Sequence, residues 1–473
     1  MKVIDMNAPS TALHYLDLSD LAARIRAGAV SPVDVTRALL DRISRLDPSL
    51  NAYALVTAED ALAQAGAAEA EIKSGRYRGP LHGVPLAVKD LCLMAGHPAA
   101  AGMPIHRDRL SPEDSTVVRR LKEAGAIILG KLQMTEGAYS DHHSSILPPK
   151  NPWNASYWPG ISSSGAGTAT AAGLCYGAIA SDTGGSIRWP CAANGLTGLK
   201  PTWGRVSRHG VFPLAPTLDH IGPMARSAMD CALILAAVAG PDQNDPTALT
   251  VPVPDYAGLA GAGAAGLKIG VDPGWNSDEV DPEVREALQG AADAFRSLGA
   301  AIVEVACPDV AQAVADWTPH CAVEAAVAHE ATYPARRSEY GPVLASVVES
   351  GRALPSMEYQ KILLRRLELR GRMAAVFGAI DLLLTPVQPF GPLTLETIRT
   401  LGTQPELIAR LQRYTCPFNL TGNPTLTLPG GFSGAGLPVG IQLVAAHLGE
   451  PALLRAGAAF QGVTSWHRRH PLG

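Results

Sequence analysis

Three groups of residues carry reactive side chains in settings that could do chemistry. The first is Asp182-Thr183-Gly184-Gly185-Ser186, directly after the apolar run 174–180. Two glycines open backbone angles closed to other residues and let several N–H groups point into one space. Such a nest of amides stabilises a developing negative charge, and Ser186 places a hydroxyl beside it. That is a layout for acyl transfer: a nucleophile plus a hole for the tetrahedral oxygen. A serine hydroxyl is weak at neutral pH and needs a base. No histidine stands in an obvious motif, but Lys89 ends the strand-like stretch 81–90. Full burial there would lower its pKa by up to roughly 3–5 units, and only the neutral amine accepts a proton. The third group is Ser162-Ser163-Ser164, ahead of a small-residue helix. A serine of this cluster could relay the proton from Ser186 to Lys89.

Other motif fragments fail on chemistry. The stretch 125–132 starts like a phosphate-binding loop, but Leu132 stands where a magnesium-binding hydroxyl is needed, so it reads as a strand. His329-Glu330 lacks the second histidine of a zinc-protease helix, and 165–170 lacks the third glycine of a dinucleotide fingerprint. No SxxK tetrad and no G-x-S-x-G elbow occur. His142-His143 reads as a solvated loop pair. Seven cysteines, an odd number with no CxxC, argue against a disulfide framework or a zinc cage and are read mainly as buried core residues.

The elements that must position these groups follow from periodicity. Residues 1–75 read as helices, one starting at a Ser31-Pro32 cap and another at Thr57. Strands are expected at 81–90, after the helix in 114–131, and at 174–180, then at 267–272, 300–306, 381–386, 424–431 and 436–445, with helices at 281–297 and 450–460. This alternation predicts an α/β fold: a single large α/β/α layered domain, residues 1–473, around a mixed, mostly buried sheet. The helical stretch 309–375 interrupts it and reads as an insertion over one edge of the sheet that contributes to the substrate pocket. Pocket walls are placed at 134–160 and 309–420, with Met134, Tyr139 and Trp317 as candidate lining residues, each with a core position as the alternative.

Taken together, "GVPLAVKD", "SSSGAGTATAAGL", "SDTGGSIRWPCAANGLTGLKPTWGRVSRHG", "TLDHIGPMARS" and "GNPTLTLP…GLPVGIQLV" resemble the amidase signature hydrolases over most of the chain. The resemblance implies one α/β/α domain, a Ser–cis-Ser–Lys triad and no cofactor. It assigns Ser186 as nucleophile and Lys89 as base. The family's spacing of 24 between bridge and nucleophile selects Ser162, which follows a cis peptide bond in the family. By the same resemblance the backbone amides of Thr183, Gly184, Gly185 and Ser186 form the oxyanion hole, and Ser163, Asp182 and Arg188 match positions that brace the loop. Gly160-Ile161-Ser162-Ser163-Ser164-Gly165 departs from the usual G-G-S-S-G-G, with Ile161 and Ser164 replacing glycines. Ser163 and Ser164 therefore stay as rivals for the relay.

Composition narrows the partners. A net charge of −4 with no basic block argues against nucleic acid. No apolar run reaches the length of a membrane span, and residues 1–20 lack a leader's apolar segment, so the expected address is the cytoplasm. The reading is a hydrolase of small-molecule amides, extending to carbamates (urethanes) and esters, with no metal and with a homodimer left open. The alternative is the glutaminase component of a tRNA-dependent amidotransferase complex, which the two missing glycines and the loop 141–160 speak against.

Overall fold

The structure is a computed structural model and describes residues 12–472. Residues 1–11, where N-terminal helix and the lack of a leader were both expected, lie outside the described residues, as does residue 473. Eleven strands form one sheet: β1 (Tyr53–Val56), β2 (Pro85–Lys89), β3 (Ile127–Leu132), β4 (Gly177–Asp182), β5 (Thr197–Lys200), β6 (His220–Ala225), β7 (Lys268–Val271), β8 (Ala301–Glu304), β9 (Leu382–Pro386), β10 (Thr425–Phe432) and β11 (Pro438–Ala445). Their order is β1-β3-β2-β4-β6-β5-β10-β11-β9-β7-β8. The trio β3-β2-β4 and the trio β9-β7-β8 are parallel, and the strands between pair antiparallel. The sheet is mixed, as expected.

Helices cover both faces. Ala228–Val238, Pro282–Ser297 and Glu450–Val463 lie on one side, where Gly177 lacks a Cβ that would meet Ile234 and Gly457 one that would meet Leu426. Ser164–Ala171 and Arg188–Asn194 lie on the other, where Gly198 and Gly440 make room for Cys191 and Ala192. A sheet buried on both faces needs continuous apolar strands rather than alternating ones, and every residue of β2, β3 and β4 is buried. The phosphate-loop look-alike is β3, and its Lys131 is tied 3.1 Å from Asp90 in a buried pair. Among the described residues no helix is long and apolar enough to cross a membrane.

Three strands escape the periodicity reading. β1 interrupts the helices expected over 1–75; it has only four residues, and pairing with β3, more than seventy positions on, makes it a strand. β5 and β6 contain Gly198, Gly222 and Pro223, poor strand formers, held by neighbours on either side. The 309–375 insertion is helical: Ala311–Ala328, Pro342–Ala353 and Ser356–Val376. Its first helix does not cap a sheet edge. It packs on the Cys416–Thr421 helix and brings Trp317 against Gly184, beyond the end of β4, an interior strand.

The topology explains where the reactive groups meet. β2 and β4 are parallel neighbours, with Ala87 opposite Ala178 and Val88 opposite Ile179. Their carboxyl ends therefore emerge together, one carrying Lys89 and the other the 182–186 loop, the place where open α/β sheets hold ligands. The serine cluster is tied to the same end of β3: the Gly165 amide donates to Gln133 O at 3.0 Å and the Thr135 amide to Ser162 O at 3.2 Å.

Candidate active site

Lys89 has no exposed surface. Its Nζ donates to Ser162 Oγ at 2.7 Å and to Ser181 Oγ at 2.9 Å. Burial lowers its pKa from 10.5 to about 7, against the pull of the nearby Asp182 carboxylate. The amine therefore titrates near pH 7; once neutral, it can keep an N–H on Ser181 and turn its lone pair to accept from Ser162 in place of donating to it. The bond between Ile161 and Ser162 is cis.

The serine cluster divides its tasks. Ser163 Oγ donates to Ser181 O at 3.2 Å, and Ser164 Oγ pairs with His142 Nε2 at 3.1 Å. Ser162 alone of the three bonds to Lys89. His142 is not a solvated loop residue. It is half-buried, and burial lowers its pKa to about 4, so it is a neutral partner for Ser164. His143 does stay in its own loop, bonded to Ser145.

Ser186, the expected nucleophile, is 7% exposed, against 0% for Lys89 and 1% for Ser162. Its loop is braced from below. Asp182 accepts from the amides of Gly185 (2.9 Å) and Ile187 (3.0 Å) and from Arg188 Nε (3.0 Å) and Nη2 (2.8 Å). Burial alone would raise this carboxyl, but the Arg188 charge and hydrogen bonds outweigh it and hold Asp182 well below the usual range. Arg188 is itself anchored on Thr415 O, Gln442 and Asn419. The Gly185 amide is thus committed to Asp182, whereas those of Thr183, Gly184 and Ser186 have no acceptor among the described residues. Three of the four amides expected in the hole are open.

The two glycines have steric causes. A Cβ on Gly184 would sit 2.5 Å from the Trp317 ring, and one on Gly185, where φ is +142°, would sit 2.6 Å from the Trp189 ring. Trp317 therefore reaches the site, while Met134 is fully buried in the main apolar core and offers a ligand no surface. Tyr139 is half-buried between two apolar clusters. Around Ile161, Trp158 and Trp189 gather Leu393, Leu395, Ile398 and Leu401, an apolar flank beside the serine cluster.

Sequence reasoning missed Ser181, Asp219 and Asn419. Ser181 left a faint signal, a hydroxyl directly after the apolar run 174–180 and before Asp182. Asp219 accepts from Thr183 Oγ1 at 2.6 Å, and burial raises its pKa to about 6. Together Ser181, Thr183 and Asp219 line a cavity of about 320 Å³ with Leu91, Phe212 and Arg208. Asn419 lies 237 positions from Asp182, to which it donates, and nothing local announces it.

The chain matches the Amidase family model over residues 34–454. It is 48% identical to AmiD of Mycobacterium bovis, designated an amidase, over 97% of this chain and 96% of that one. It is 38% identical to the A-type component of the Glutamyl-tRNA(Gln) amidotransferase of Geobacter metallireducens, over 96% and 98%. A bacterial aryl acylamidase structure superposes with a TM-score of 0.87 at 26% identity, over 98% and 99%. Matched along nearly its whole length in sequence and in fold, the chain belongs to the amidase signature family and is a hydrolase of amide bonds.

Proposed function

We propose that the chain cleaves carboxylic amides through an acyl-enzyme on Ser186, as a free-standing amidase of the aryl acylamidase type. Neutral Lys89 takes the proton of Ser162, and Ser162 takes that of Ser186. Ser186 Oγ attacks the carbonyl carbon, and the open amides of the 183–186 loop stabilise the resulting oxyanion. The proton returns through Ser162 to the leaving nitrogen, the C–N bond breaks and the amine departs. Water then adds to the acyl-enzyme by the same relay and releases the acid. Because the relay protonates the leaving atom, anilides, carbamates (urethanes) and esters are within the same chemistry. The observation that carries the reading is a fully buried amine, depressed to about 7, sitting 2.7 Å from Ser162 Oγ.

The apolar flank beside Ile161 supports an aryl or alkyl substituent over a charged one. A second reading, the glutaminase component of an amidotransferase, is favoured by the 38% identity to the amidotransferase relative. Assays of the purified chain on anilides, aliphatic amides, amino-acid amides, aryl carbamates and glutamine separate the two. Turnover of anilides with little glutamine hydrolysis is expected; the reverse supports the glutaminase reading. Ser186→Ala should lower turnover by at least about 10³-fold with an unchanged circular dichroism spectrum. Near-full activity in that variant sinks the mechanism.

A further inference from the structure

The four carbonyls of the Asp182–Gly185 backbone each accept a hydrogen bond from a different residue. Asn419 Nδ2 donates to Asp182 O at 3.0 Å and the indole Nε1 of Trp317 to Thr183 O at 2.9 Å. Cys416 Sγ donates to Gly184 O at 3.5 Å and the Trp189 amide to Gly185 O at 2.7 Å. A trans peptide is planar, and its C=O and N–H point in opposite directions. Fixing a carbonyl therefore fixes the next amide: Trp317 behind Thr183 O turns the Gly184 N–H the other way. The Gly184 amide is one of the three left without a protein acceptor among the described residues.

We infer that Trp317 is a positioning residue for the oxyanion hole, aiming the Gly184 amide at the substrate's carbonyl oxygen. This rests on the acyl-enzyme reading above. Its indole fills the space that any Cβ on Gly184 would need, so the ring and the glycine are fitted to each other. The helix Ala311–Ala328 is in turn tied beside it to Ser356–Val376, whose Arg365 donates to Asp316 through two contacts of 2.7 Å. Without the indole N–H, the 183–184 peptide is free to rotate, and the hole loses its preorganised dipole at the step where charge develops. Losing a hole donor outright costs about 10²–10³-fold in kcat; a donor present but misaligned loses less.

The test compares Trp317→Phe and a variant carrying benzothienylalanine at 317, in which sulfur replaces the indole N–H at nearly constant shape. Both should lower kcat roughly 10-fold with KM changed less than about twofold. Both should also weaken an arylboronic acid, a mimic of the tetrahedral adduct, by a similar factor, and leave the pH midpoint of activity in place, since Lys89 is untouched. The benzothienylalanine variant decides the matter if Phe disturbs folding. A wild-type kcat and unchanged boronic acid affinity in it overturn the inference. Full activity in Ser186→Ala, by contrast, overturns the acyl-enzyme reading itself, so the two failures are told apart.

Discussion

A primary amine without exposed surface opposes folding, because the unfolded chain keeps a proton that the folded chain gives up. For Lys89 the folded pKa, about 7, lies below the ordinary 10.5. Between those values the unfolded state binds more protons, so this group's contribution to stability falls as pH drops from about 10.5 to 7 and is least favourable below 7. Lys89→Met should therefore stabilise the protein at pH 7 by on the order of 2–4 kcal/mol after its two lost hydrogen bonds are discounted, and abolish turnover. Urea unfolding at pH 7 and pH 10 checks this, with the gain shrinking at the higher pH. In the wild type, activity should rise with pH through about 7 as the amine becomes neutral, and a pH–rate profile flat from pH 5 to 9 would contradict that role. Ser181→Ala should weaken kcat by removing the second acceptor that orients the amine.

The strand-to-helix turn after β4 is one unit built from a carboxylate, two glycines and an arginine. Gly184→Ala should lower activity by about 10²-fold or more, because the new methyl group meets the Trp317 ring and moves the amides. Arg188→Met acts differently. It leaves the Asp182 charge fully buried without its partner, and breaking a buried pair from one side costs about 3–5 kcal/mol. Thermal unfolding with and without the substitution measures it; a change of melting temperature under about 2 °C would mean that Asn419 and the loop amides suffice.

Across the whole molecule, the sheet ties distant parts of the chain together. β5 pairs with β10 over two hundred residues later, and β9 from beyond the helical insertion joins β11 to β7. One cooperative unfolding transition is expected, with tryptophan fluorescence and far-ultraviolet circular dichroism changing together; two separated transitions would assign the halves to independent units. All seven cysteines are free thiols, six of them buried, so reductant should leave that transition where it is.

Local chemistry made much of the site readable in the amino-acid order. The strand that delivers Lys89, the double glycine before Ser186 and the serine run each announce themselves through residue type and short spacing, and so do the long buried strands. Family spacing singled out Ser162 from three adjacent hydroxyls, and the fold places that one alone on the amine. What the order of residues left open depends on partners far along the chain. β1, β5 and β6 become strands only because neighbours pair with them, and Met134 belongs to the core rather than the pocket. Asn419, Cys416 and Trp317 reach the 182–185 loop from more than a hundred residues away. Hydrogen bonding and close packing act through space, so the aim of each amide was decided by tertiary structure.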